Sequence, residues 1–312
     1  MRLRTLITIL SFFTISTIFG QSAADYYKKA DNFYDKKDFK NALQLIDLAL
    51  KTDSINATYL LLKGNSLEEL GDYKEAFIIY TKLIDHFPKD VIGLNQRALL
   101  LNKVQEFELA IKDFNKALNM KNPDSVKLTL YVNRGAAKIN LRNFQGAYDD
   151  FMVAYLLDTL NIGTLNNLAA VCDEVGKGDK TLGYLYKILK IDSTFIGAYG
   201  NIGFKFQEMG DYKTAIQYYD KVLLIAPNDP LGFSNRAYNR YKLNELKEAL
   251  TDINKSLLLY PANSYAFRIR ALIYLEQNRK EEACNDINKA LELGFTKMYG
   301  EEMEQLKMKN CK

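Results

Sequence analysis

Few residues of this chain are equipped for bond-making chemistry. It has one histidine, His86, and three cysteines, Cys172, Cys284 and Cys311. Zinc, haem and iron–sulfur sites need clusters of such ligands, so no metal or cofactor is expected. His86 stands beside Asp85 with no cysteine near it in sequence, which reads as a surface histidine rather than a base or ligand. No glycine-rich phosphate loop, G-x-S-x-G elbow or H-x-x-x-H pattern occurs. The carboxylates are numerous, and solvated helix faces explain them more simply than a paired acid and base. The expectation is a chain without catalysis. What recurs instead is a series of amides and arginines: Gln96-Arg97, Asn133-Arg134, Asn167, Asn201, Asn235-Arg236 and Arg270. An amide side chain offers both a donor and an acceptor, so it matches a peptide group without reading its side chain.

The elements that must position these residues are set by composition and periodicity. Of 312 residues, 48% are hydrophobic and only 5 are proline, which excludes a disordered or collagen-like chain and allows a large core. The formal charge of +4 is spread along the chain with no basic stripe, so nucleic acid is not an expected partner. Arg2, Arg4 and the apolar stretch Leu6 to Phe19, followed by Gly20, have the form of an export signal over residues 1–20. That stretch is short for a membrane span, which takes about 20 apolar residues. A mature chain from Gln21 would be exported to the periplasm or outside the cell, where disulfides are permitted, without stable membrane insertion.

Alanines recur at Ala42, Ala76, Ala110, Ala147, Ala215, Ala249 and Ala283, with Thr181 filling the one gap. Every step is 34 residues except 110 to 147, which is 37. With these residues at position 20, eight units follow: 23–56, 57–90, 91–124, 128–161, 162–195, 196–229, 230–263 and 264–297. Position 8 is small in all eight (Ala30, Gly64, Ala98, Gly135, Ala169, Gly203, Ala237, Ala271), which lets two helices approach closely. Gly71-Asp72 and Gly210-Asp211 end one helix and begin the next. Pro88, Pro227 and Pro261 close units at position 32.

This pattern of small, aromatic, alanine and proline columns resembles the tetratricopeptide repeat (TPR) family over residues 23–297. Position 4, often Trp in that family, is Tyr, Phe or Leu here. The resemblance implies an all-α, right-handed superhelix of helix pairs, first helices inside and second helices outside. Stacked neighbours would share one core. The three extra residues near Asp124 to Lys127 are expected to lengthen an inter-unit loop, and residues 298–312 to form a capping helix and tail. Gly176, Gly178 and Gly183, taken as helix-interior glycines, mark the fifth unit as the softest.

Two columns switch together. Position 7 is arginine in four units (Arg97, Arg134, Arg236, Arg270), and those four carry Asp113, Asp150, Asp252 and Asp286 at position 23. This covariation is what a salt bridge between the facing helices of a unit produces. Position 6 is the candidate binding column: Gln96, Asn133, Asn167, Asn201 and Asn235. In proteins similar to this one that position projects into the concave groove, where it can grip an extended peptide. Phe204 and Tyr238, at position 9, lie one turn further along. Either they add apolar or stacking contact to the groove, or they pack between helices. The function implied is a scaffold that binds a peptide or protein segment. The alternative is a glycan- or cell-wall-binding protein using the same groove. The family's geometry also brings Cys311 back towards Cys284, leaving two readings open, a disulfide or two thiols, with Cys172 buried in either case.

Overall fold

The structure, a computed structural model, describes residues 22–311, so the export segment lies outside the described residues. The chain divides into two compact units, one ending at Pro123 and the next beginning at Asp124. The first contains α1 (Ala23–Asp35), α2 (Phe39–Thr52), α3 (Ala57–Glu69), α4 (Tyr73–His86), α5 (Val91–Lys103) and α6 (Phe107–Leu118). The second runs through α7 (Asp124–Asn140), α8 (Phe144–Leu157), α9 (Ile162–Val171), α10 (Thr181–Ile191), α11 (Ile196–Glu208) and α12 (Tyr212–Ile225). It continues with α13 (Pro230–Lys242), α14 (Leu246–Leu259), α15 (Ser264–Glu276), α16 (Lys280–Glu292), α17 (Phe295–Tyr299) and α18 (Glu302–Asn310). No strand occurs among the described residues, and none of their helices is long and apolar enough to cross a membrane.

The turn between the two helices of each pair follows one backbone recipe. The residue at position 15 has positive φ in all eight pairs: Gly71, Gly176 and Gly210 adopt it freely, and Lys37, Gln105, Arg142, Asn244 and Asn278 adopt it at φ 57 to 66°. In four pairs the side chain of the next residue caps the second helix. Asp38, Asp72, Asn143 and Asp211 each accept a hydrogen bond from the backbone N–H three residues on, meeting a donor the helix leaves unpaired. With links this short, the two helices of a pair must lie antiparallel and in contact.

The core forms where those helices touch. Ala42, Ala76, Ala110, Ala147, Ala215, Ala249 and Ala283 are completely buried. Position 8 faces position 24, and in seven of the eight pairs their sizes are matched, the third pair setting Ala98 opposite Phe114. Gly64, Gly135 and Gly203 lie under the rings of Tyr80, Phe151 and Tyr219. A Cβ on Gly64 would overlap the Tyr80 ring, and one on Gly135 would sit 2.5 Å from Cε1 of Phe151. Ala30, Ala169, Ala237 and Ala271 occur in the pairs that carry the aliphatic Ile46, Leu185, Ile253 and Ile287.

Paired charges tie the helices together. Arg97, Arg134, Arg236 and Arg270 each reach the aspartate of their own pair with two parallel hydrogen bonds of 2.6 to 2.9 Å, and Asp113, Asp150, Asp252 and Asp286 are buried. Lys138 and Arg240 add a second cation to Asp150 and Asp252, both at 2.8 Å. The guanidinium groups also reach the preceding pair. Arg97 donates to Thr81 at 3.0 Å, Arg236 to Asp220 at 2.7 Å and Arg270 to Asn254 at 2.9 Å. Lys63, whose own pair has Ile79 and not aspartate at position 23, crosses in the same way to Asp47 at 2.8 Å.

Three expectations need correction. The extra residues near Asp124 extend a helix and not a loop: α7 starts at Asp124 and runs for 17 residues. Nothing in Asp-Ser-Val-Lys breaks a helix, and the leading aspartate suits its positive end. In the fifth pair Gly176 and Gly178 are not inside a helix. After α9 the chain makes two 3₁₀ turns, Asp173–Val175 and Gly178–Lys180, with Gly176 at φ 68° between them, and only Gly183 lies within α10. The C-terminal segment is not one helix, because Gly300 at φ 88° separates α17 from α18, and the boundary expected at residue 297 falls inside α17. Phe295 and Met303 bury themselves against Ala271, Ile287 and Ala290. Cys284 and Cys311 are joined by a disulfide with a Cα separation of 5.6 Å, which fastens α18 to α16. Cys172 is unpaired and buried.

Candidate functional site

The amide column divides between the two compact units. Gln96 is half-buried on α5 in the first. Asn133, Asn167, Asn201 and Asn235 hold the same register on α7, α9, α11 and α13 of the second, where Asn201 is exposed and the others are half-buried. The structure brings Asn201, Asn235 and Phe204 together around a cavity of about 300 Å³ between α11 and α13. Asn133 and Asn167 do not line it. Asn201 also approaches α9, donating to Asn166 at 3.4 Å.

The cavity has an apolar wall and a bare one. Phe204, Val222 and Leu231 supply hydrocarbon, while Gly200, with nothing within 4 Å of where a Cβ would stand, leaves the backbone open. Phe204 is 50% exposed, so its ring is available to a ligand. The carboxylate of Asp229 is committed to capping α13, accepting from the backbone N–H groups of Leu231 and Gly232 at 3.1 and 3.0 Å. A second cavity of about 250 Å³ shares Asn201 and Phe204 and adds Asp173, Lys205 and Glu208. Lys205 bonds Asp173 at 2.6 Å and Glu208 at 3.3 Å. The Asp173 bond, opposed by partial burial, holds the Lys205 ammonium above its ordinary pKa.

Tyr238 is placed otherwise. Its ring packs beside Tyr265 at 6.3 Å, with the Lys242 ammonium 5.6 Å and the Arg268 guanidinium 5.6 Å from its centre. It belongs to helix packing and not to the cavity, because α15 and Arg268 already occupy its face. Arg268 is in turn held by Glu302 of α18 at 2.5 and 2.9 Å. His86 ends α4 and is exposed. The sequence reading missed Asn166, Lys205 and Asp173. No column of the repeat marks them, since they sit at the irregular fifth pair and its neighbour.

Family models described as tetratricopeptide repeat match residues 27–91, 197–229 and 235–294. The chain belongs to the tetratricopeptide-repeat family. TPR proteins act as scaffolds for protein–protein interaction and are typically non-catalytic. This TPR chain is similar to RNA polymerase II-associated protein 3 of Xenopus laevis, 31% identical over 159 residues that cover 46% of this chain. The matched region is 24% of that relative, so this TPR chain spans only about a quarter of its length. Among solved structures, Cut9 with Hcn1 has a TM-score of 0.62 at 18% identity, covering 92% of this chain and 55% of that one. The pilF protein of Pseudomonas aeruginosa has a TM-score of 0.58 at 18% identity, covering 69% of this chain and 96% of that one. At these identities the likeness is one of TPR fold.

Proposed function

We infer that this TPR protein binds an extended peptide or protein segment on the inner helices, with the amides of Asn133, Asn167, Asn201 and Asn235 holding its backbone. The observation that carries this reading is the placement of Asn201 and Asn235 on either side of one open cavity whose third edge is an exposed phenylalanine. An amide needs a donor and an acceptor to be satisfied, and a peptide group supplies both in one plane. The arginines are poor ligand contacts by comparison, since each already holds a buried aspartate. An oxidising compartment outside the cytoplasm is part of the proposal, and the Cys284–Cys311 bond supports it.

The test is a peptide array probed with the wild-type protein and with the double variant Asn201→Ala, Asn235→Ala. Loss of signal across peptides of unrelated sequence, with an unchanged melting temperature, is the expected result. An unchanged pattern in the double variant contradicts the reading, and saturable binding of oligosaccharides alone would replace the peptide with a glycan.

A further inference from the structure

The last helix of the chain is held at both ends. Gly300, at φ 88°, separates α18 from α17, and the Cys284–Cys311 bond ties its far end to α16. Between those points α18 has nine residues, and an isolated helix that short is marginal in water. Of these residues only Met303 is buried, Leu306 is half-buried, and Met308 is 77% exposed. Glu302 adds the ion pair to Arg268 on α15, at 2.5 and 2.9 Å. The two partners of that pair differ. Arg268 is packed, with its guanidinium 5.6 Å from the ring centres of Tyr238 and Tyr265 and its side chain 15% exposed, whereas the Glu302 side chain is 42% exposed. Arg268 stands at position 5, where the other seven pairs carry uncharged residues, so the repeat framework does not require it. Lys242 brings a second cation to the Tyr238 ring, and the nearby carboxylate of Glu276 is engaged by the Tyr241 hydroxyl.

We propose that Arg268, packed against Tyr238 and Tyr265, is a binding site for a carboxylate of an acidic partner segment, held shut by Glu302 on a strap, α18, that the Cys284–Cys311 bond buckles. The proposal stands apart from the amide column, since it needs neither Asn201 nor Asn235. The ligand chemistry is read from the occupant: the guanidinium fork takes a carboxylate through two bonds at once. The two rings keep Arg268 aimed when Glu302 leaves, and a partly buried cation without its anion is costly, so the site favours a replacement carboxylate. Lys242 adds to the attraction for an acidic segment. The bond sets access. While it is closed, Glu302 competes as an intramolecular ligand that a free carboxylate displaces poorly. Both cysteines are half-buried and not sealed in the core. A dithiol opens the bond when one thiolate attacks a cysteine sulfur and its second thiol then attacks the mixed disulfide. Two electrons and two protons pass to Cys284 and Cys311, which leave as thiols, and the dithiol leaves as a disulfide. α18 then hinges at Gly300 with only Met303, Leu306 and the ion pair to hold it, while Phe295 of α17 stays on Ala271, Ile287 and Ala290.

The experiment measures binding of a blocked tetraglutamate peptide, with tetraglutamine as control, to the oxidised chain and to the chain reduced by dithiothreitol. Hydrogen exchange of α18, α15 and α13 is followed on the same samples. Reduction is expected to tighten tetraglutamate binding by about tenfold or more, to leave tetraglutamine unchanged, and to speed exchange in α18 alone. The double variant Cys284→Ser, Cys311→Ser should behave as the reduced chain without any reductant, and Arg268→Gln should lose the gain. Glu302→Gln, which vacates the charge and leaves the bond in place, should bind tetraglutamate more tightly than the wild type when both are oxidised. Equal affinity before and after reduction, a gain shared by tetraglutamine, or a gain that survives Arg268→Gln overturns the carboxylate site. Unchanged protection of α18 on reduction, or loss of protection in α15 and α13 with it, overturns the strap.

Discussion

Arg236 on α13 grips Asp252 on α14 through two parallel hydrogen bonds of 2.9 and 2.7 Å, and its third nitrogen crosses to Asp220 on α12 at 2.7 Å. One guanidinium therefore closes its own helix pair and latches it to the pair before. Asp252 is 3% exposed and serves Arg240 as well. Removing the anion leaves two cations partly buried without it, so Asp252→Ala should destabilise by about 3–5 kcal/mol. Replacing Arg236 and Asp252 together by Met and Leu should cost less, because one partly buried cation, Arg240, loses its anion instead of two. Urea denaturation of the three proteins checks this, and a double variant as unstable as Asp252→Ala would contradict it.

The left-handed turn at position 15 is a place where stability can be gained. Gln105 and Arg142 adopt φ 66° and 57°, a region that costs an L-residue about 1–2 kcal/mol and a glycine almost nothing. Gln105→Gly and Arg142→Gly should each raise stability, offset in part by glycine's greater freedom in the unfolded chain. Position 8 behaves in the opposite way. Gly135→Ala places a Cβ 2.5 Å from Phe151 and should destabilise, whereas Gly183→Ala, in α10 with open space around it, should stabilise by about 0.5–1 kcal/mol. Thermal melts rank all four, and a stabilising Gly135→Ala would refute the packing argument.

Much of this was legible before any coordinates. The columns at positions 7 and 23 switch together because one side chain needs the other, and covariation of that kind survives in a single chain through its repeats. The crossing partners did not show, because Thr81, Asp220 and Asn254 share only a hydrogen-bonding oxygen and not a residue type. The fifth pair misled for a related reason: a glycine where a repeat expects an aromatic reads as a flaw in a helix, when Gly176 and Gly178 belong to 3₁₀ turns. Of the cavity, Asn201, Asn235 and Phe204 were readable as columns. Asp173 and Lys205 of its neighbour were not, since no column of the repeat marks them.

The fifth pair should still exchange its amides fastest. Two 3₁₀ turns replace regular helix there, and their hydrogen bonds are fewer and poorer. Hydrogen exchange over residues 173–185 is expected to exceed that over α12 and α14, and equal protection would contradict the prediction.

Titration of thiols addresses the C-terminal end. In denaturant without reductant, one thiol per chain, Cys172, should react, and three after reduction. The Cys284–Cys311 bond closes a separation of 27 residues, so Cys311→Ser should lower stability by about 3 kcal/mol through the freedom it returns to the unfolded chain. Three reactive thiols before reduction would remove the bond from the account.

Alkaline pH should loosen the fold. Burial pushes the hydroxyls of Tyr80, Tyr219 and Tyr265 above their ordinary pKa of 10.0. Between that value and the raised one the folded chain holds protons that the unfolded chain has lost, so stability is full below pH 10 and falls as pH rises. The urea midpoint should therefore drop from pH 9 to pH 11, and a constant midpoint would contradict the burial of these rings.

The claim that the amide column grips peptide backbone has one direct test, a scan of a bound array peptide in which each backbone amide in turn is N-methylated. Methylation removes the donor that Asn201 or Asn235 would accept and leaves the side chains intact. The account predicts a loss of about tenfold or more at positions facing those residues, and no further loss when the same peptides meet the Asn201→Ala, Asn235→Ala protein. Affinity unchanged by methylation at every position would show that the amides do not hold the backbone.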